Sequence, residues 1–546
     1  MLARPSRTGI LVLVALLEIA CRVSEPGGAP SSSSSSTPAD GDALIIPIDS
    51  DPPSLDFVSC SDSWCRLVAR FVADALVDEG ERLETVPRLA ERWEFAEEGR
   101  VLVFHLRQGV RWHDGSPFTA DDVLFTYRRT IDPASGAHAD LFQDILEVTA
   151  PDPLTVKVRY REPTVLALDA WKVPIVPQHL LAAVPAGTKD PARTPIGTGP
   201  FRFVRWTRGS EIVLQANPSY FLGRPHLDSL VFRIIPSPAT QFQSLLTGDT
   251  DWSSIPPSEW SKTAASADFL RRFRRYEYPA LFVYYIAWNG KGPLFADARV
   301  RRAMTLLLDR SGFLAKANAG AGVVAASSFH PKQFGYDPKV APLPYDPTAA
   351  AALLDEAGWK RSGSDGQRVK SGRPLRFSLL IFQGNPVQQQ VASLFSDALR
   401  RQGITLDIRV FDFPALLERL QRRDFDAAFS GWALTTDPDP TAFFHSDARL
   451  GTSNYAGYSN PEMDRLLVEG RHALDPDQRR RIYARVQEIV AADQPYTFLF
   501  FPLARIGMDN RFEGVSSAGV ISPLKPYPGP LRWFVPRERQ KRRSSP

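Results

Sequence analysis

The stretch FHLRQGVRWHDGSPFTADDVLFTYRR, Phe104 to Arg129, decides the reading of this chain. Leu102, Phe104 and Leu106 alternate with residues that can face solvent, the period of a half-buried strand. Gln108-Gly109 interrupts the pattern, Val110 and Trp112 resume it, and Asp114-Gly115 is a turn dipeptide. Thr119, with Asp122 three residues on, predicts an N-cap opening a helix through Val123, Phe125 and Tyr127. Strand, turn and helix together make a scaffold unit.

Around it lies a chain of 546 residues, 43% hydrophobic and 23% charged, enough for two or three domains with a large core. Its 47 prolines favour loops and edge strands over a helical bundle. Net charge is only +4 and the cations are dispersed, which argues against nucleic acid as a partner. The basic end Arg537 to Arg543 reads as a frayed terminus.

Arg4 and Arg7 precede an apolar run, Ile10 to Leu17, of signal-peptide size and too short to span a bilayer. Ala20-Cys21 then suits lipoprotein processing, with acylation expected on Cys21, although Glu18 stands where a lipobox carries an apolar residue. Ser31 to Ser36 forms a flexible tether. The chain is therefore expected to be exported, and anchored at a membrane surface through Cys21. Two further cysteines, Cys60 and Cys65, could close a small disulfide loop or remain two buried thiols.

Further on, Val68 to Val77 reads as an amphipathic helix and Leu154 to Tyr160 as a strand. Asp297 and the Asp346-Pro347 pair are helix starts, the first followed by the core stripe Val300, Ala303, Met304, Leu307 and Leu308. Then comes an α/β rhythm. Phe377 to Phe382, Thr405 to Val410 and Phe425 to Phe429 read as strands, with helices Val387 to Arg401 and Pro414 to Arg422 between them, implying parallel β-α-β units. Asn460-Pro461 and Asp475-Pro476 start two more helices, and Tyr496 to Phe501 is an apolar strand.

The opening stretch, as F-x-L-R-x-G-V-x-W-H-D-G-x-P-F-T-A-x-D-V, resembles the signature of the family 5 solute-binding proteins, the extracytoplasmic receptors of peptide and nickel ABC importers. Ser54-Leu55-Asp56, Gly197-Thr198-Gly199-Pro200-Phe201, Asn217 to Tyr220, Gly248 to Asp251, Asn289 and Asp297 to Ala303 resemble further elements of that family in order. The resemblance implies an α/β two-lobe periplasmic-binding-protein fold of type II, of the large class with an extra subdomain in the first lobe, its mixed sheets joined by a hinge. It also implies the division into domains. Residues 1–21 are the signal peptide with its lipoprotein cysteine, 22–42 the tether, and 43–279 the first lobe. Residues 280–501 form the second lobe, 502–535 return to the first, and 536–546 are a basic disordered tail. The function implied is capture of a peptide-like ligand between the lobes, as a monomer without cofactor, and delivery to the permease. An oligosaccharide, a nickel chelate or an opine-like solute are alternatives.

Ligand contacts are expected from Trp432, Thr435 and Asp437 beyond the end of a parallel strand, where open α/β sheets bind ligands. Gln383, Asn385, Tyr284, Ser54 and Asp51 complete the expected set. Trp432 in the lobe core and Asp439 as a cap are the structural alternatives at that loop. In the peptide binders that this segment resembles, an aspartate three residues after the tryptophan pairs with the ligand's ammonium; here the position is Thr435. Near Asn385, where dipeptide binders carry an arginine for the ligand carboxylate, this chain has Gln388, Gln389 and Gln390. An unpaired buried charge is costly, so a zwitterionic dipeptide is disfavoured as ligand. No metal site is expected. The rival class, an extracytoplasmic hydrolase, would rest on His113 and Asp114, which also fit a turn after a strand.

Overall fold

The computed structural model describes residues 37–541 apart from 59, 61, 81–82, 133–138, 186–187, 189–193, 365, 384 and 516–528. The leader, Cys21 and most of the tether lie outside the described residues.

The opening stretch folds much as its pattern predicts. Val101–Leu106 is a strand buried on alternate residues, and Ala120–Ile131 is a helix. Asp122 reaches back to the Thr119 N–H at 3.0 Å as a capping box requires, and also accepts from the Gln178 N–H (2.9 Å) and Trp112 Nε1 (3.3 Å). Val110 and Trp112 do not continue the strand. They pack into the core from a turn closed by one bridge, Arg111 to Pro117. The strand itself sits in an antiparallel sheet ordered Ala90–Ala96, Val101–Leu106, Thr155–Tyr160, Ile145–Asp152, with Phe104, Trp112 and Trp171 in its core.

A second four-stranded sheet runs in the order Ala43–Ile48, Ser229–Ile234, Glu211–Ala216, Phe201–Thr207, its first pair parallel and the others antiparallel. Against it packs the helix Ser63–Val72, capped by Asp62, its first turn tied to the preceding residues by a Cys60–Cys65 disulfide with Cα atoms 5.6 Å apart. The helix thus starts and ends about five residues earlier than its apolar period suggests. Ala73 turns extended, the buried Asp74 is held by Arg88, Tyr220 and Thr198, and Val77–Glu79 pairs as a strand with Thr85–Pro87. Leu76 and Val77 go to the neighbouring core rather than to the helix face.

The second lobe is built on Phe282–Trp288, Ala427–Ala433, Arg376–Phe382 and Thr405–Phe411, the last two parallel as the β-α-β rhythm predicts. Alternate residues of Phe282–Trp288 feed cores on opposite faces, Ile286 and Trp288 on one, Val283, Tyr285 and Ala287 on the other. The strand Ala427–Ala433 runs four residues beyond Phe429, so Ser430 to Ala433 lie inside it. Helices Pro347–Glu356, Pro386–Arg401, Phe413–Arg422, Pro461–His472 and Pro476–Asp493 each carry an Asp or Asn N-cap and proline in the first turn.

One long strand, Tyr496–Asp509, joins the two halves. Its first part pairs with Phe282–Trp288 and its last part with Phe273–Pro279 and Trp252–Ser254. Ile506 and Met508 belong to the first-lobe core, Phe498 and Phe500 to those of the second. Towards the C-terminus the described residues up to 541 are tied down, and 542–546 lie outside them. Arg539 pairs with Glu513 (2.7 Å), Lys541 Nζ with Asp509 (2.5 Å), and the Lys541 N–H donates to Asp42 (2.9 Å).

Candidate functional site

The His113–Asp114 pair of the opening stretch is a clasp. His113 Nδ1 accepts from the Gly197 N–H (3.3 Å), and Nε2 lies 3.0 Å from the Gly199 carbonyl. Asp114 points away, to His179 Nε2 at 2.7 Å. Both ring nitrogens of His113 are thus engaged by backbone, and Asp114 pairs with His179 rather than with His113. Burial pushes the His113 imidazole down to about 4. An imidazole held neutral below its unfolded value stabilises fully above pH 6.5, and the stability is lost as pH falls toward 4. We therefore expect folding stability to drop by on the order of 1–3 kcal/mol between pH 7 and pH 4.5 from this group. Denaturant titrations of wild type and His113→Gln at both pH values measure it; the variant should lose less on acidification.

In the second lobe, Tyr284 and Asn385 meet at the carboxyl ends of the strands. Asn385 Oδ1 caps the helix Pro386–Arg401 through the Gln388 N–H (3.2 Å), and its Nδ2 donates to Tyr284 Oη at 3.4 Å. Gln383, just past the strand Arg376–Phe382, is exposed, and its N–H donates to the Phe411 carbonyl at 2.7 Å. Gln388 is buried, its Oε1 accepting from the Phe382 N–H (2.8 Å), and so serves the strand end.

Trp432 is not a platform open to the cleft. It is 5% exposed, stacks on Phe443 at 3.9 Å between centroids and lies against Tyr285 at 4.2 Å. Four residues of extra strand carry it into the lobe core, the structural alternative in the sequence. Thr435 Oγ1 donates to the Asp437 carbonyl at 2.6 Å, and its own carbonyl accepts from Gln333 (2.6 Å). Asp437 is held in bidentate fashion by Arg479 at 2.7 and 2.6 Å, and Asp439 accepts from Arg471 at 2.7 Å. Both carboxylates of the D-P-D-P loop are therefore neutralised by the chain itself, and both pairs are largely buried.

In the first lobe, Asp51 accepts from Trp206 Nε1 and from the Gly209 N–H, each at 2.7 Å. Ser54 Oγ accepts from the Asp56 N–H at 2.9 Å. These two residues shape the loop after the first strand. The structure thus brings Tyr284 and Asn385 together, leaves Gln383 exposed, commits Asp437, Asp51 and Ser54 to internal partners, and buries Trp432.

A pocket of about 230 Å³ in the first lobe, between the helix Ser63–Val72 and the segment Asp169 to Pro174, had no signal in the sequence. Its charged walls come from Arg66, Arg70, Asp74, Asp78, Arg88, Asp169 and Lys172. Such a set is spread over a hundred positions and follows no motif. The neighbouring segment touches the second lobe: the Val165 N–H donates to the Arg471 carbonyl (3.0 Å), and His472 Nδ1 lies 2.7 Å from the Pro163 carbonyl. Among the described residues no cluster of three or more His, Cys, Asp or Glu is placed to hold a metal ion, and no helix is long and apolar enough to cross a membrane.

Comparison with known proteins gives this architecture its place. The family model of the bacterial extracellular solute-binding proteins, family 5, matches residues 84–454. The oligopeptide-binding protein AppA of Bacillus subtilis is 31% identical over 518 residues, covering 92% of this chain and 94% of its own. The structure of AppA from Bacillus subtilis in complex with a nonapeptide superposes with a TM-score of 0.79 at 28% identity, over 91% of this chain and 100% of that one. NikZ from Campylobacter jejuni, solved with Ni(L-His), shares the fold at a TM-score of 0.76 and 24% identity, over 87% of this chain and 95% of that one. A signature-bearing strand–turn–helix, two lobes bridged by a long strand, and these likenesses agree: the chain belongs to the bacterial extracellular solute-binding proteins of family 5.

Proposed function

We propose that this protein is the exported receptor of an ABC importer, held at a membrane surface by a lipid on Cys21, and that it captures an oligopeptide between its lobes as a monomer. It passes the peptide to the permease without making or breaking a bond. The observation that carries the oligopeptide reading is the commitment of Asp437 to Arg479 and of Asp439 to Arg471. With Thr435 in the ammonium-pairing position, the neutral groups of Tyr284, Asn385 and Gln383 remain at the strand ends. Neutral donors and acceptors suit the backbone of a longer peptide, whose charged ends can stay solvated, better than a dipeptide with both ends buried. The likeness to an oligopeptide-binding protein supports the same reading.

The test uses protein lacking residues 1–40 and a calorimetric titration of peptides of two to nine residues, with maltose oligomers and nickel–histidine as the other arms. Peptides of four residues or more should bind at least about tenfold more tightly than dipeptides, and should stabilise the fold by about 2.7 kcal/mol at a hundred times Kd. Tighter binding of dipeptides, sugar or the nickel chelate would overturn the reading. Asp437→Asn should lower the stability of ligand-free protein by roughly 3 kcal/mol, because Arg479 is left buried and unpaired, while peptide affinity stays within a few-fold. Lost affinity at unchanged stability would return Asp437 to the role of ammonium partner.

A further inference from the structure

The chain passes from the first-lobe core to that of the second where Phe273–Pro279 leads into Phe282–Trp288, and returns along Tyr496–Asp509. The lobes also meet at a third place, far along the chain from both joins. On the first lobe it is the segment Pro163 to Val165, which leads into the core residues Ala167, Ala170 and Trp171. On the second it is the end of the helix Pro461–His472. The Val165 N–H donates to the Arg471 carbonyl at 3.0 Å, and His472 Nδ1 lies 2.7 Å from the Pro163 carbonyl. A carbonyl oxygen only accepts, so Nδ1 carries the hydrogen and donates it. Leu474 adds an apolar touch: a Cβ at Gly99 would stand 3.2 Å from Leu474 Cδ1 and 3.3 Å from Pro163 Cβ.

Local structure presents both sides of this contact. The last carbonyls of a helix have no partner within it, so that of Arg471 is open to a donor from outside. Its place is fixed by the side chain, whose Nε donates to Asp439 at 2.7 Å and so ties the helix end to the D-P-D-P loop. On the first lobe Thr164 opens a tight turn, its Oγ1 accepting from the Leu166 N–H (3.2 Å) and its carbonyl from the Ala167 N–H (3.3 Å). Val165 is the second residue of that turn, and the turn's own hydrogen bond leaves its N–H unused. His472 is exposed and Leu474 is 52% exposed, so water can replace these contacts when the lobes part. A contact this small and wet opens and closes rather than fixing two bodies together.

We infer that Pro163 to Val165 and Arg471 to Leu474 form a latch, which engages as the lobes close and must break before a captured solute leaves. Asp439 is a positioning residue for it, acting through Arg471. The latch rests on the two-lobe receptor reading, is independent of the class of solute, and is tested without ligand.

Protein lacking residues 1–21 keeps only Cys60 and Cys65, which are joined as a disulfide. Glu147→Cys and Arg465→Cys, at exposed positions on the first and second lobe, can therefore carry one spin label each. Distance distributions between the labels give the ratio of closed to open molecules. Val165→Pro removes one donor at a turn position that favours proline, and His472→Ala removes the other. Each should lower the closed-to-open ratio about three- to tenfold, and both together by more than either, with the melting midpoint little changed. His472→Asn, whose amide nitrogen is as many bonds from the backbone as Nδ1, should restore the ratio. A ratio unmoved by the double variant, or lowered as far by asparagine as by alanine, overturns the latch and leaves the receptor reading standing.

Discussion

Replacing Arg511 with methionine is expected to destabilise the protein by about 3–5 kcal/mol, among the largest effects of any single charge in the chain. Its guanidinium is 2% exposed and reaches Asp251 at 2.6 Å, Asp509 at 3.0 Å and Asp42 at 3.2 Å, with the Ala43 carbonyl at 3.2 Å as a further acceptor. Asp42 and Asp251 are as deeply buried as the arginine. Asp42 leads into the first strand, Asp251 into the short strand Trp252–Ser254, and Asp509 ends the long strand from the second lobe. One cation therefore binds together three separate arrivals of the chain. Removing it strands buried carboxylates that water cannot reach. Guanidinium denaturation followed by tryptophan fluorescence measures the loss. Arg271→Met is the control: its partner Asp268 and its own side chain are both exposed, so the change should stay within about 0.5 kcal/mol.

Gly197→Ala should be at least as damaging, by more than about 4 kcal/mol, and is expected to leave little soluble protein. A Cβ there would stand 1.8 Å from the Val72 carbonyl oxygen, a backbone atom that cannot rotate aside. A Cβ on Gly199, two residues on, would stand 2.6 Å from the same carbonyl oxygen, to which its N–H donates at 2.9 Å. The glycines let this turn lie flat on the end of the helix Ser63–Val72 while His113 grips it from the other side. Gly109→Ala supplies the comparison. Gly109 has φ +76 with nothing within 4 Å of a Cβ, so only the left-handed backbone is penalised, by about 1–2 kcal/mol. Soluble yield and melting midpoint of the two variants separate a clash from a conformational cost; similar values would show that the helix end yields.

Much of the fold was legible because its signals are local. Thr119 with Asp122, Asp346-Pro347, Asn460-Pro461 and Asp475-Pro476 satisfy the first turn of their own helices, so each start can be read within a few residues. The strand–helix alternation after Phe377 likewise carries its period in itself. The misplaced helix at Val68 to Val77 failed for the opposite reason. Its apolar spacing continues past Val72, but Asp74 pairs with Arg88 and Leu76 joins another core, and a distant partner outweighs propensity.

The functional site divides along the same line. Sequence alone determined the family, through the motif around Trp112 and His113 and the ordered elements after it. It also showed that Thr435 departs from the ammonium-binding pattern, because residue identity at a motif position needs no coordinates. Only the tertiary structure decided that Trp432 is walled in by Phe443 and Tyr285, that Arg479 consumes Asp437, and that His113 is a clasp on Gly197 and Gly199. It alone gathered Arg70, Asp74, Arg88 and Lys172 at one pocket. The physical reason is range. Caps and periodicity act within one turn or one strand, whereas burial and charge pairing depend on which remote segments the fold brings within a few ångströms.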